Sequence, residues 1–476
     1  MPAAVLPVPA GTARPPTTTT AAARRRLEQI LQTGCCAQPI RLQGQTHQVD
    51  LHTGEVRTVY ASTSQPDATL LVACGNRRAA RCPSCAETYR ADTYQLIRAG
   101  LRGGKGVPEQ VADHPAVFAT FTAPSFGPVH TRRERGGRVR ACRPRHGTPA
   151  CPHGRAAFCF KRHSPDDAEL GHALCRRCFD YQGLVLWNAL APELWRRTTE
   201  YAYRELARLA GLRPTELRRQ LRISFAKVAE YQARGAVHFH AVIRLDGTQP
   251  EDPHAVVPPP GGFTVELLKE AVRVAAGRVF APCPQMGARS PLVARWGSQL
   301  DIRPITTTTG HLSAEHVAGY IAKYATKATE SFGPALDRPL KPDQIDELAL
   351  SPHVRELVRA CWKLGAHPDL AALRLRRWAH MLGFGGHWST KSRRYSTTLG
   401  RLRQARTTYR HRARYGDAVP LDAWGRPFDD DQVVILKQWT YTGSGYRTVP
   451  EALLADQLAA QARDHRRHAR HQRATA

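Results

Sequence analysis

Apolar and polar positions change period several times along this chain, and each change marks an element. Val117-Phe118-Ala119-Thr120-Phe121-Thr122 is a β-rich run ended by Pro124. Residues 184–220 carry helical periodicity through Leu184, Leu186, Trp187 and Leu190, then Leu206 and Leu209. Residues 221–230 and 236–245 are strand-like, and Ala233-Arg234-Gly235 between them predicts an antiparallel pair joined by a short turn. A proline-rich loop, 247–262, leads into a predicted helix at 263–278. Residues 300–306 read as extended, and Ser313 with His316 opens a helix running through Thr329. From about 336 the chain reads as helical and basic, with a late strand at 433–441. There is no internal repeat. The pattern mixes helices with strands, one antiparallel pair among them, as in an α+β protein.

Composition adds a partner. The 476 residues carry a formal net charge of +29, with 42% hydrophobic and 23% charged residues. The chain is long enough for two or three domains, each with its own core. Its positive excess opposes compaction unless an anion screens it, and nucleic acid is the natural anion. Arginine outnumbers lysine 59 to 10, a bias that GC-rich coding also produces. No apolar run reaches the roughly 18 residues that span a bilayer, so no membrane role is expected. The first residues lack the form of a secretory signal, so a cytoplasmic protein with reduced thiols is expected.

Ten of the twelve cysteines fall between Cys35 and Cys178. Cys82-Pro83-Ser84-Cys85 presents two thiolates on one turn, and zinc takes four such ligands in a tetrahedron. Cys36, Cys74, Cys82 and Cys85 form the first proposed set, with Cys35 as substitute for Cys36. Cys175-Arg176-Arg177-Cys178 with Cys142, Cys151 and Cys159 forms a second, for which His146, His153 and His163 are replacement ligands. One or two structural Zn²⁺ ions are expected. The alternative is a group of small buried hydrophobes.

His238-Phe239-His240 lies in a predicted strand, where alternate side chains share a face, so both imidazoles point the same way. They can hold a divalent cation, Mg²⁺ or Mn²⁺, with positions left open for a phosphate oxygen. Alone the pair is weak: with 21 histidines, about one His-x-His arises by chance. Glu230, across the turn on the partner strand, is the candidate third ligand. Tyr320-Ile321-Ala322-Lys323-Tyr324-Ala325-Thr326-Lys327 places Tyr320, Lys323, Tyr324 and Lys327 on one helical stripe. Tyr-x-x-Lys occurs twice there, against about 0.3 instances expected from composition in the whole chain. A tyrosine hydroxyl can attack a phosphodiester to form a 5′-phosphotyrosine and free a 3′-hydroxyl. Its phenol, with a reference pKa of about 10, needs a stabilised phosphate and a route for its proton.

On these motifs the chain resembles the HUH-type rolling-circle replication initiators, especially those of actinobacterial plasmids and integrative conjugative elements. The resemblance covers most of residues 35–400. It implies that 118–124 is a core strand beside the site, that His238 and His240 bind Mg²⁺ or Mn²⁺, and that Tyr320 to Lys327 carries the nucleophile. It also implies an antiparallel sheet of about five strands flanked by helices. Many single-tyrosine relatives have a glutamate four residues before the nucleophile. Tyr320 stands there in this chain, which favours a two-tyrosine scheme with Tyr324 attacking first; both tyrosines satisfy Tyr-x-x-Lys, so Tyr320 is the alternative first nucleophile.

The expected layout is a disordered leader, 1–27; a cysteine-rich zinc region, 28–100; a nicking domain, 101–335, with a cysteine-rich insertion at about 140–182; a basic helical DNA-binding region, 336–415; and a C-terminal strand and basic tail, 416–476. Arg376, Arg377, Lys391, Arg393 and Arg394 are candidate phosphate contacts, interleaved with Trp378, Phe384, Trp388 and Tyr395. The stretch 463–473 is expected to be a disordered tail. The expected partners are origin DNA, single-stranded at the nick, and a host helicase. A relaxase or transposase of the same superfamily is the alternative enzyme, and a non-catalytic zinc-containing DNA-binding regulator the alternative class.

Overall fold

Three period-2 runs, at 116–121, 221–231 and 237–247, seed the larger of two units in the computed structural model of the chain. The structure describes residues 20–145, 150–285, 292–305, 312–327, 329, 332–416, 421–429 and 431–475. In chain order the helices are α1 (Thr20–Gln32), α2 (Pro83–Arg102), α3 (Tyr181–Leu209), α4 (Pro214–Gln220), α5 (Val265–Arg278), α6 (Ala314–Ala325), α7 (Pro352–Leu364), α8 (Leu399–Tyr415) and α9 (Val449–Thr475). The strands are β1 (Ile40–Asp50), β2 (Val56–Ala61), β3 (Leu70–Val72), β4 (Ala116–Phe121), β5 (Arg133–Arg135), β6 (Arg138–Arg140), β7 (Leu221–Tyr231), β8 (Val237–Gly247), β9 (Ala281–Pro282), β10 (Val293–Ala294), β11 (Leu300–Pro304), β12 (Ser389–Lys391) and β13 (Val433–Ser444). One unit comprises Met1–Ala86 with Arg410–Ala476, the other Glu87–Tyr409.

The larger unit is built on a five-stranded sheet in the order β11-β4-β8-β7-β12, every neighbour antiparallel. Alternation along β4, β7 and β8 gives the sheet two different faces. One carries Val117, Ala119, Phe121, Phe239 and Ala241 into the main core beneath α3 and α5. Phe121 and Phe239 are fully buried there, beside Trp195 and Trp296. Each such ring stabilises by about 1.5–3 kcal/mol relative to exposure. The other face carries Ala116, Val228 and Val242 against Val317, Ile321 and Ala325 of α6, with Ile97 and Leu101 of α2. Helix α6 forms because Ser313 caps it, accepting a hydrogen bond from the His316 N–H. Buried Ala314, Ala318 and Ala322 make its inner side small enough to lie close to the sheet.

The predicted hairpin is β7–β8, closed by hydrogen bonds between Gln232 and Ala236 and from the Gly235 N–H to Gln232. Fully buried Asn188 on α3 braces it. Its amide donates to the carbonyls of Gly235 and Leu382 and accepts from the Val237 N–H, at 2.8–2.9 Å.

Several expectations change. Residues 20–27 lie in helix α1, so the leader is not irregular up to 27. Residues 463–473 belong to α9, so the basic tail is helical: alanines and the Arg/Gln runs outweigh charge repulsion there. Strand β13 pairs with β1 along its length, so the cysteine-rich start and the C-terminal strand share one unit instead of forming two regions. The stretch 336–415 is not a separate helical domain: α7 contributes Val354, Leu357 and Val358 to the main core, and Ser389–Lys391 supplies the edge strand β12. Phe384, Trp388 and Tyr395 pack inside. Helix α6 stops at Ala325, before Thr329.

Candidate active site

Strand pairing decides the site. Glu230 on β7 lies directly opposite His238 on β8, and Thr120 on β4 opposite His240. All four project to the face that α6 covers. The Glu230 carboxylate reaches His238 Nε2 at 3.1 Å and His240 Nε2 at 3.3 Å. One ligand atom from each lies within 4.8 Å of the others. His240 is nearly buried, and its Nδ1 is 3.0 Å from the Thr120 hydroxyl. That contact occupies one ring nitrogen and aims Nε2 at the carboxylate. Burial pushes the His240 imidazole below its ordinary value, which keeps it neutral. Burial alone would raise Glu230, but hydrogen bonds from His238 and His240 overcome it and hold the carboxyl down at about 2. Two imidazoles and an ionised carboxylate converging on one point fit a divalent cation with open positions.

Helix α6 brings the phenols to this point. The Tyr320 hydroxyl is 3.3 Å from His240 Nε2, and Tyr320 remains 38% exposed. Tyr324 stacks on His240 with ring centroids 5.9 Å apart, and the two tyrosine rings touch at 4.7 Å. Phe118 walls the site, packing on both His240 and Tyr320. Lys323 Nζ and Lys327 Nζ lie 5.3 and 5.0 Å from the Tyr324 ring, although Lys327 is past the helix end. Burial and the adjacent Tyr324 push the Tyr320 phenol well above its ordinary value. A cleft of about 530 Å³ opens where Ala123 and Pro124, beyond β4, meet Gln232–Arg234 of the β7–β8 turn, Thr131 and Arg132, and Gly171 of the cysteine-rich insertion.

All twelve cysteines are free thiols, and nine sit in Cys/His groups suited to zinc. Cys36, Cys74, Cys82 and Cys85 form one group. Their Sγ–Sγ separations of 3.7 Å match the edges of a zinc–thiolate tetrahedron, about 3.8 Å for bonds of about 2.3 Å. Cys35 is outside it. The five cysteines of the insertion divide between two further groups: His130, Cys142, Cys159 and His163; and Cys151, His153, Cys175 and Cys178. In the first of these, His163 Nδ1 pairs with the Asp167 carboxylate at 2.9 Å, an arrangement that orients an imidazole toward a metal. His130 had no signal in the sequence, because its partners are 12 to 33 residues away and no short motif contains it. His146 lies outside the described residues.

The five basic candidates do not form one patch. Arg376 and Arg377 sit over Trp362 and Trp378. Lys391 is on β12, its ammonium donating to the Ser396 carbonyl at 2.9 Å, and burial lowers it to about 8. Arg393 is exposed, whereas Arg394 is half-buried.

Residues 22–460 match the family described as RepSA, replication initiator protein of pSAM2, and the chain belongs to that family. It is 47% identical over 439 residues to a replication initiator protein of Streptomyces ambofaciens, covering 91% of this chain and 89% of the relative. No solved structure matches it. Among the described residues, no helix is long and apolar enough to cross a membrane.

Proposed function

We propose that this initiator is an HUH-type nicking enzyme that opens one strand of origin DNA by tyrosine attack. The observation that carries the reading is the meeting of Glu230, His238 and His240 with two phenols, one of them 3.3 Å from His240 Nε2. Mg²⁺ or Mn²⁺ bound by these three residues would neutralise the scissile phosphate and polarise it for attack. Tyr324 is the first nucleophile. Its flanking ammoniums, Lys323 and Lys327, hold the phosphate oxygens. As the Tyr324 oxygen bonds to phosphorus, the bond to O3′ breaks. The 3′ oxygen takes up a proton and becomes the primer hydroxyl, and the 5′-phosphate stays on tyrosine. Tyr320, whose ionisation is suppressed while Tyr324 lies beside it, attacks later, at the junction regenerated after one round. The 3′-hydroxyl so released then displaces Tyr324. The cleft beyond β4 gives nucleotides beside the nick a place to lie. Lys391 and Arg393, with Arg394, Arg376 and Arg377, add phosphate contacts, and a host helicase extends the opening. The Cys/His groups hold structural Zn²⁺.

The test is incubation with single-stranded origin DNA and Mn²⁺, followed by denaturation and mapping of the phosphotyrosine peptide. An adduct at Tyr324, lost in Tyr324→Phe, supports the scheme. No adduct, or one that persists in the double Tyr320→Phe/Tyr324→Phe variant, overturns it.

A further inference from the structure

A further cationic feature lies just before the cysteine-rich insertion. Strands β5 and β6 form a hairpin in which Arg133 is directly opposite Arg140, and Arg135 opposite Arg138. Because side chains alternate, all four guanidinium groups share one face, while Glu134 and Val139 take the other. The four arginines are exposed, and among the described residues none has a carboxylate partner. Glu134 pairs with Arg132 instead. Like charges directly opposite each other destabilise a strand pair, and an isolated two-stranded hairpin is marginal even without them.

Two features hold it. Gly136 and Gly137 both have positive φ, 59° and 71°, as a tight hairpin turn requires. At the base, His130 and Cys142 precede and follow the hairpin in sequence and belong to the same metal-ligating group, with Cys159 and His163. A zinc ion there would clamp both feet together. The Thr131 N–H to Cys142 Sγ contact at 3.2 Å and backbone bonds between Arg143 and Cys159 at 2.7 and 3.1 Å complete the base. A fold that keeps two opposed arginine pairs on a clamped prong needs an anion with regularly repeated charge.

We propose that the β5–β6 hairpin is a ribbon that grips the phosphate backbone of duplex DNA flanking the nick. This rests on the reading of the chain as an origin-binding initiator. Proteins that read single strands stack bases on aromatic rings; the segment Arg133-Glu134-Arg135-Gly136-Gly137-Arg138-Val139-Arg140 has none. A two-stranded ribbon fits the duplex major groove, about 12 Å wide. Phosphate contacts of this kind position the protein without reading sequence.

The experiment compares the zinc-loaded full chain with a variant carrying Arg133→Gln, Arg135→Gln, Arg138→Gln and Arg140→Gln. Fluorescence anisotropy follows binding to a duplex of arbitrary sequence across roughly 0.1–0.3 M salt. Each lost phosphate contact lowers the slope of log K against log salt by about 0.9, so the expected reduction is about 3 to 4. The corresponding four-lysine variant keeps the parent slope. Unchanged zinc content and melting temperature show that the glutamine variant folds, and its nicking of single-stranded origin DNA stays at the parent level. An unchanged slope in the glutamine variant overturns the proposal. Absence of nicking in the parent itself counts against the tyrosine scheme and leaves the duplex measurement standing.

Discussion

Lys227 is a cationic residue held in an apolar environment. It lies on β7 but on the core face, opposite Ala241, with 5% exposure. Its ammonium lies 4.0 Å from the centre of the Phe239 ring. Burial lowers the ammonium to about 7. A lysine whose folded pKa is depressed binds fewer protons in the native state than in the unfolded chain between about pH 7 and 10.4, so stability rises with pH through that window. The penalty is fully present below about 7. The attraction to Phe239 offsets part of it. Replacing the ammonium with an apolar chain of similar length removes the penalty, so Lys227→Met should stabilise by about 1–4 kcal/mol at neutral pH. It should also flatten the rise in stability above pH 7. Thermal unfolding followed across pH 6–10 checks both; an equal or lower melting temperature at pH 7 would show that the cation–π contact dominates.

At the scale of elements, the β7–β8 hairpin carries the proposed metal ligands, and its geometry depends on one amide. Asn188 satisfies two carbonyls and one N–H at the turn. Asn188→Leu preserves approximate volume but leaves those groups unpaired in the core. The expected cost is about 2–5 kcal/mol, measured by denaturant unfolding. If the hairpin shifts as well, Mn²⁺ affinity falls together with stability, a pairing that a remote core defect would not produce. Helix α6 works differently. Its inner stripe of Val317, Ile321 and Ala325 follows a four-residue spacing, and the same spacing sets Tyr320 and Tyr324 on one stripe, both against His240 of β8. The basic stretch after 336 was harder to read: arginine marks solvent or phosphate, but Phe384 and Tyr395 between them are 1% and 0% exposed, and burial follows from neighbours far away in sequence.

At the scale of the molecule, three Cys/His groups of four that could hold zinc lie among the described residues: one in the unit containing the termini, two in the other unit, in the cysteine-rich insertion and the segment just before it. Native mass spectrometry is expected to find three zinc ions per chain. Cys159→Ser should remove one, that of the group at the base of the β5–β6 hairpin, while Cys82→Ser should remove a different one. Retention of all three in either variant would break the assignment. Structural zinc sites supply folding energy directly, so stripping the zinc with a strong chelator should lower the unfolding temperature.

Sequence alone determined the faces. Period-2 geometry puts His238 and His240 on one side of a strand whatever surrounds it, and a short turn carries Glu230 back to them, because these relations are set by backbone geometry over fewer than about a dozen residues. Tertiary structure decided what required distant segments to meet: that α6 lies over that face, that β13 completes the sheet begun by β1, that β12 edges the central sheet, and that five insertion cysteines fall into two Cys/His groups with His130 in one of them. Such long-range pairings leave no local period behind. Their energy comes from burial and ligand convergence, which exist only once the chain has folded.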